Sequence, residues 1–339
     1  MQTIYRQADA EGIAFAAKLL QQGQVFALPT ETVYGIAADA RNQDAVAKIF
    51  VAKGRPQDNP LIVHVSGLDG LDGIVREIPE QAELLAHAFW PGPLTMILPR
   101  GTQVAEGCCA GLDSVGVRMP NHPVAQAIIA QSGCAFAAPS ANLSGSPSPT
   151  TAQDVLADME GRLPLVLEGG DCQVGVESTV ISLIGTQPML LRPGYVTLEQ
   201  LEVALGEPIA VSGAILEALQ EGEEACSPGM KYKHYAPSAD VTILEGNFAA
   251  FAAYIAEHAE EKMACLCFTG EEAILDVPCV VYGKEKDGAD QAKHLFRALR
   301  ALDEGKYHTV YARCPQKDGV SMAVYNRLVR AANFRVVQL

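Results

Sequence analysis

Ser227-Pro-Gly-Met-Lys-Tyr-Lys-His-Tyr-Ala-Pro-Ser238 is the stretch on which the reading of this chain turns. Its prolines, 228 and 237, each remove a backbone donor and fix one dihedral, so the stretch suits neither a helix interior nor a central strand. It therefore reads as a connection, entered through the acidic patch Glu221, Glu223 and Glu224. A flexible tether needs glycine and serine, whereas this one carries Met230, Lys231, Tyr232, Lys233, His234 and Tyr235. Large side chains pinned between prolines predict a surface that docks, as a lid folded back across the first domain or, alternatively, as packing that fixes the orientation of the second.

The two flanks follow different patterns. On the N-terminal side, strands are expected at Val25–Leu28, Leu61–Val65, Thr95–Leu98, Ser114–Met119, Ala135–Ala138, Leu163–Leu167 and Thr179–Leu183. Helices are expected at Ala8–Gln22, Gln43–Ala52, Pro79–Phe89, Pro123–Gln131, Ala152–Met159 and Leu198–Leu205. This irregular order predicts an α/β domain over residues 1–206 with a mixed, twisted sheet. Beyond the connection, strand and helix alternate regularly from Val241 to Ala332, which predicts a smaller parallel, Rossmann-like α/β domain over 239–339. Residues 207–238 are the linker, and 339 residues fit two cores better than one.

Composition excludes several classes. With 49% hydrophobic and 19% charged side chains the chain is too apolar for disorder. A net charge of -15 argues against a protein that grips nucleic acid by its phosphates, and residues 1 to 206 alone hold 11 Lys plus Arg against 21 Asp plus Glu. The nine cysteines form no C-x-x-C pair and no zinc-spaced cluster, so reduced thiols in a cytoplasmic protein are expected. No signal-peptide core opens the chain and no apolar run reaches the length of a membrane span.

Chemistry-bearing residues concentrate in first-domain loops. Neither a G-x-x-x-x-G-K-[ST] loop nor a G-x-G-x-x-G fingerprint occurs, so the phosphates of any bound nucleotide must be met mainly by side chains. The candidates are Lys53-Gly-Arg55, Arg118 and Arg192, each close to a proline turn. Read singly, each is explained better by a surface ion pair. Pro29-Thr-Glu-Thr-Val-Tyr-Gly35 offers hydroxyls in what reads as a strand-to-helix turn, and Pro139-Ser-Ala-Asn-Leu-Ser-Gly-Ser-Pro-Ser-Pro-Thr150 offers four serines and Asn142. Hydroxyls and amides at a strand end donate to phosphate or carboxylate oxygens without adding charge. His64 reads equally as a strand histidine with a satisfied ring or as a catalytic one.

In their order and spacing these segments resemble the threonylcarbamoyl-AMP synthase family of the YrdC-like superfamily, in its long two-domain form. The matching stretches are Pro29–Gly35, Lys53–Pro56 with Asn59–Leu61, Trp90–Thr95, Val115–Pro120, Pro139–Thr150, Glu177–Val180 and Leu191–Gly194. The linker Ser227–Pro237 matches the long form specifically.

The resemblance implies that L-threonine meets Thr32, His64, Arg118, Ser178 and the backbone near Ala138. It implies that ATP meets Lys53, Arg55, Asn59, Ser114, Ser140, Asn142, Ser148, Arg192 and Tyr235. In the implied reaction, L-threonine, bicarbonate or CO2, and ATP give threonylcarbamoyl-AMP and pyrophosphate. A downstream transferase then uses the product to modify tRNA next to the anticodon. Lys53, Arg55 and Arg192 would stabilise phosphate charge, Mg2+ would be held mainly by phosphates and water, and no residue is assigned as an acid or base. A non-catalytic RNA-binding module of the same fold predicts a basic face, which the charge count opposes, so any RNA contact is expected to be weak. A hydrogenase-maturation carbamoyltransferase would carry C-x-x-C pairs, which are absent here. An unrelated amino-acid adenylating enzyme would show its own signature, and none appears.

Overall fold

A computed structural model of the chain describes residues 1–57, 59–215 and 235–339. The first part runs β1 (Ile4–Gln7), α1 (Ala10–Gln21), β2 (Phe26–Leu28), β3 (Gly35–Asp39), α2 (Gln43–Lys53), β4 (Ile62–His64), α3 (Glu80–Phe89), β5 (Leu94–Pro99), α4 (Glu106–Cys109), β6 (Ser114–Arg118), α5 (Pro123–Ser132), β7 (Phe136–Ala137), α6 (Ala152–Met159), β8 (Leu165–Glu168), β9 (Thr179–Ser182), β10 (Met189–Arg192), α7 (Leu198–Leu205) and β11 (Ala210–Val211). The second part runs β12 (Asp240–Glu245), α8 (Phe248–Glu257), β13 (Met263–Cys267), β14 (Cys279–Val281), α9 (Gly288–Glu304), β15 (Thr309–Arg313), α10 (Ser321–Ala331) and β16 (Val336–Gln338).

The first part forms one eleven-stranded sheet in the order β1-β8-β2-β3-β7-β4-β6-β5-β9-β10-β11. It is mixed, as expected: β4 pairs parallel with β6 while β5 pairs antiparallel with β6. Successive strand side chains leave opposite faces, so the sheet feeds two cores. Phe26, Leu28, Phe136 and Leu167 pack under α1 and α5, whereas Ala27, Ile36, Val63 and Val166 face the core that α2 covers. Helix ends follow local rules. Thr151 and Asp154 close a capping box on α6, and Thr197 and Gln200 do the same on α7.

The strands β1, β3, β10 and β11 are not evident from pattern. Pro29–Gly35 is consequently a strand-to-strand turn and not the strand-to-helix turn expected, because Gly35–Asp39 returns antiparallel along β2. That strand is buried on both faces and built of small residues, so it shows no alternation. β11 extends the first sheet to Val211, beyond the residue 206 boundary.

The second part is a parallel five-stranded sheet in the order β14-β13-β15-β12-β16. Its core also takes in Val33, Val174 and Val176 of the first part, so the two share packed surface. Gly175 makes that approach possible. It sits at φ +82, and a Cβ there would lie 2.5 Å from the carbonyl oxygen of Ala292 in α9. Most of the expected lid, residues 216–234, lies outside the described residues. Among the described residues no helix is long and apolar enough to cross a membrane.

Candidate functional site

The site assembles where strand ends converge. β4 and β6 run parallel with His64 in register with Arg118, so both side chains arrive at the same end of the sheet. Arg118 is buried and held from several sides: Nε donates to the Gly92 carbonyl at 3.2 Å and Nη1 to Thr32 Oγ1 at 2.9 Å. Its Nη2 lies 2.7 Å from the Glu31 carboxylate. Thr32 is fixed in turn by Thr30, whose hydroxyl is 2.9 Å away and also donates to the Val33 carbonyl. The His64 ring stacks on Phe136, with Nδ1 3.1 Å from the Ile62 carbonyl oxygen. Burial, and then the charge of Arg118, lowers its pKa to about 3, so the imidazole is neutral at physiological pH.

The opposite wall comes from β9 and β10. Ser178, just before β9, has its hydroxyl 2.8 Å from that of Thr95. Arg192, ending β10, donates from Nε to the Ser178 carbonyl at 3.0 Å and from Nη2 to Ser178 Oγ at 3.1 Å. Burial and the neighbouring Arg327 lower the Arg192 pKa to about 10, which leaves it cationic. Glu177 accepts from Ser148 Oγ at 2.6 Å and is ion-paired with Arg327 at 3.0 Å. Burial pushes its pKa up, but Arg327 and Arg192 together outweigh that and hold the carboxyl below its usual range.

The Pro139–Thr150 loop roofs the space. Asn142 donates to the Leu143 and Ser146 carbonyls, which ties the loop to itself, while its buried Oδ1 has no hydrogen-bond partner among the described residues. Tyr235 reaches the same cavity from the far side, its ring 5.1 Å from that of Phe296. It adopts φ +64, a left-handed conformation that costs a bulky residue energy, and the next amide, Ala236, donates to the Gly145 carbonyl at 3.1 Å. Burial pushes its hydroxyl pKa up to about 12.

Ten of the residues singled out from sequence line this one cavity: Thr32, His64, Arg118, Ala138, Ser178, Arg55, Ser140, Asn142, Arg192 and Tyr235. Four do not. Lys53 lies behind the loop, where its ammonium donates to the carbonyls of Ser140 and Asn142; burial, and then Arg55, pushes its pKa down. Asn59 is fully buried, and among the described residues neither end of its amide has a hydrogen-bond partner. Ser148 is turned to Glu177. Ser114 opens β6 and Arg118 closes it, so about 13 Å of strand separates them. The cavity also uses Thr30, Val33, Gly35, Ile62, Pro139 and Glu177, which sequence reasoning left unassigned although all but Ile62 lie within a quoted motif.

The electrostatics are specific. Arg55, Arg118 and Arg192 line the cavity against Glu177, with Glu31 paired to Arg118 and Arg327 paired to Glu177 just outside the lining, so the site is net positive in a chain of net charge -15. Such an arrangement suits a small anion flanked by neutral hydroxyls. Among the described residues no group of His, Cys, Asp or Glu is arranged to hold a metal ion.

Residues 18–194 match the family model described as "Telomere recombination", and residues 196–333 match "Threonylcarbamoyl-AMP synthase, C-terminal domain". A Bacillus subtilis threonylcarbamoyl-AMP synthase is 44% identical over 330 residues, covering 96% of this chain and 94% of the relative. One from Pyrococcus abyssi is 41% identical over 338 residues, covering 96% of each. The crystal structure of Pyrococcus abyssi Sua5 complexed with L-threonine superposes with a TM-score of 0.91 at 39% identity, covering all of both chains.

Proposed function

The chain belongs to the threonylcarbamoyl-AMP synthase family in its two-domain form, and from that premise we propose how its cavity makes threonylcarbamoyl-AMP from L-threonine, bicarbonate or CO2, and ATP. The observation that carries the reading is the net-positive cavity in which Arg118 and Arg192, both buried, flank the Thr32 and Ser178 hydroxyls. Arg118 takes the threonine carboxylate: its bonds to Gly92 and Thr32 and its pairing with Glu31 fix the guanidinium plane and leave N–H groups for a carboxylate. The neutral His64 and the Thr32 and Ser178 hydroxyls suit the amine and side-chain hydroxyl.

In the first step the amine nitrogen bonds to the carbon of CO2 and loses a proton, giving a carbamate. A carbamate oxygen then attacks the α-phosphorus of ATP, and the bond to the bridging oxygen of pyrophosphate breaks. Arg55 and Arg192 stabilise the negative charge that develops on the phosphoryl oxygens and the leaving group. Ser140 and Asn142, in the roof, position the nucleotide. Lys53 and Ser148 act from behind it, by holding the loop and Glu177 in place.

Mg2+ fits this site as a companion of the triphosphate. Glu31 and Glu177 are both committed to arginines, so the phosphates themselves would supply its ligands. The product is a mixed anhydride that must be consumed by a transferase carrying the acyl group to a tRNA adenosine. On this reading the protein works in the cytoplasm, and any contact it makes with tRNA is local and weak.

The test is pyrophosphate release from ATP with and without threonine and bicarbonate. Release should require both, and serine should be a poorer substitute. Equal rates with valine would overturn the assignment, because a site that pairs a hydroxyl rejects the analogue lacking one.

A further inference from the structure

We infer that Arg327 and Arg300 of the second domain are positioning residues of the first-domain cavity, an inference that rests on the reading of that cavity as the threonine and ATP site. Arg327, in α10, is completely buried. Its Nε donates to Glu177 Oε2 at 3.0 Å, Nη2 to the Glu177 carbonyl at 3.3 Å and Nη1 to the Pro193 carbonyl at 2.6 Å. Glu177 precedes Ser178, and Pro193 follows Arg192. One guanidinium therefore grips the residues immediately outside the Ser178–Arg192 pair, which are themselves bonded to each other within the cavity wall.

Arg300, in α9, holds the roof in the same manner. It makes a fork with Asp158 at 3.1 and 3.0 Å, and Nη2 donates to the Pro147 carbonyl at 2.6 Å. The same Asp158 accepts from the Leu143 amide at 3.2 Å. Pro147 and Leu143 flank the part of the loop beyond Asn142, and Ser148 joins the two clamps through its bond to Glu177. The second domain thus reaches the wall and the roof of the site without contributing either arginine to its lining.

A clamp of this kind acts through charge as well as shape. With Arg327 replaced by a neutral residue, Glu177 loses its ion-pair partner while staying buried, and Arg192 is the cation that still favours its charged form. Arg192 would turn toward Glu177 and leave the Ser178 carbonyl and hydroxyl. Neutralising Glu177 in the same chain removes that pull, since glutamine still accepts from Ser148 and no stray charge remains.

The experiment uses the full-length chain and measures threonine-dependent pyrophosphate release together with melting temperature. Arg327→Met should lower kcat/KM at least about tenfold, and Arg327→Met with Glu177→Gln should recover severalfold over the single variant. Arg300→Met should raise KM for ATP about fivefold or more with a smaller change in kcat, and Arg300→Lys should restore part of the loss. If these arginines only glue the domains together, the double variant will be no better than Arg327→Met, and Arg300→Met will lower melting temperature without moving KM. Either result overturns the inference. Should Arg327→Met fail to fold, the double variant and the Arg300 pair still decide the matter. A wild-type protein that releases no pyrophosphate with threonine would instead overturn the reading of the site, so the two failures are distinguishable.

Discussion

The Lys53 ammonium donates to the backbone carbonyl of Asn142 at 2.8 Å, and so supports from below the loop it was expected to face across a phosphate. Arg55, two residues on, lines the cavity, because Gly54 caps α2 at φ +65 and turns the chain there. The motif reading makes both cations exposed and silent in stability; the structure divides them. Lys53→Met breaks two charge-assisted bonds and strands buried carbonyls, which costs about 1–3 kcal/mol, or a few degrees in melting temperature. Arg55→Ala should act chiefly on KM for ATP and lower melting less than Lys53→Met does, since what it gives up within the fold includes a stacking contact on Phe50. Thermal unfolding of the two variants side by side checks this, and equal melting temperatures would remove the loop-holding role.

His64 makes stability depend on pH in a predictable sense. Its folded pKa of about 3 lies below the roughly 6.5 of an unfolded histidine, so between these values the unfolded chain binds the extra proton. The stability is fully present above about pH 6.5 and is lost progressively as pH falls toward 3. Other groups titrate in that range too, so the observable is a difference. The pH slope of unfolding free energy should be smaller in His64→Asn than in wild type by up to about 1.4 kcal/mol per unit between pH 6 and 4. Denaturant melts across that range measure it, and parallel slopes would mean the ring is protonated in the folded state.

Arg118→Lys tests the carboxylate fork. Lysine keeps the charge but cannot satisfy Gly92, Thr32 and Glu31 while offering a planar pair of donors to a ligand. A charged hydrogen bond contributes about 1.5–3 kcal/mol, so kcat/KM for threonine should fall roughly tenfold to a hundredfold. KM for ATP should move much less. A matched fall for both substrates would place Arg118 in general site integrity and not in carboxylate binding.

What the sequence makes legible follows from how local each signal is. α6 and α7 begin and end where expected because Thr151, Thr197 and Gly206 are caps that act within a turn. The strands β3, β10 and β11 escape notice because short segments such as Gly35–Asp39 carry no alternation. Within the site, motif order brings the right loops together, but a K-x-R spacing does not say which side of a loop each cation faces. That depends on the backbone angle at Gly54. Glu177 belongs to a quoted motif, yet its pairing with Arg327 joins residues 150 apart in the chain, a relation no window of sequence contains.

Tyr235 tests whether the described end of the linker belongs to the site or merely orients the second domain. Its ring packs on Phe296 of α9, which alone would make it a domain anchor, yet it also lines the cavity beside Arg192 and Ser178. A left-handed conformation at a tyrosine persists only where its surroundings over-determine it, and here the Ala236 amide is tied to the Gly145 carbonyl in the roof. Tyr235→Ala should therefore raise KM for ATP about tenfold, while Tyr235→Phe, which keeps the ring packing, should melt within a few degrees of wild type. Saturation with ATP and threonine should also slow exchange of the Ala236 amide, since ligand in the cavity braces the roof to which that amide is bonded. Mass-resolved hydrogen exchange with and without both ligands reads this directly. Normal ATP affinity in Tyr235→Ala, with unchanged protection at Ala236, would leave the tyrosine an anchor for α9 and nothing more.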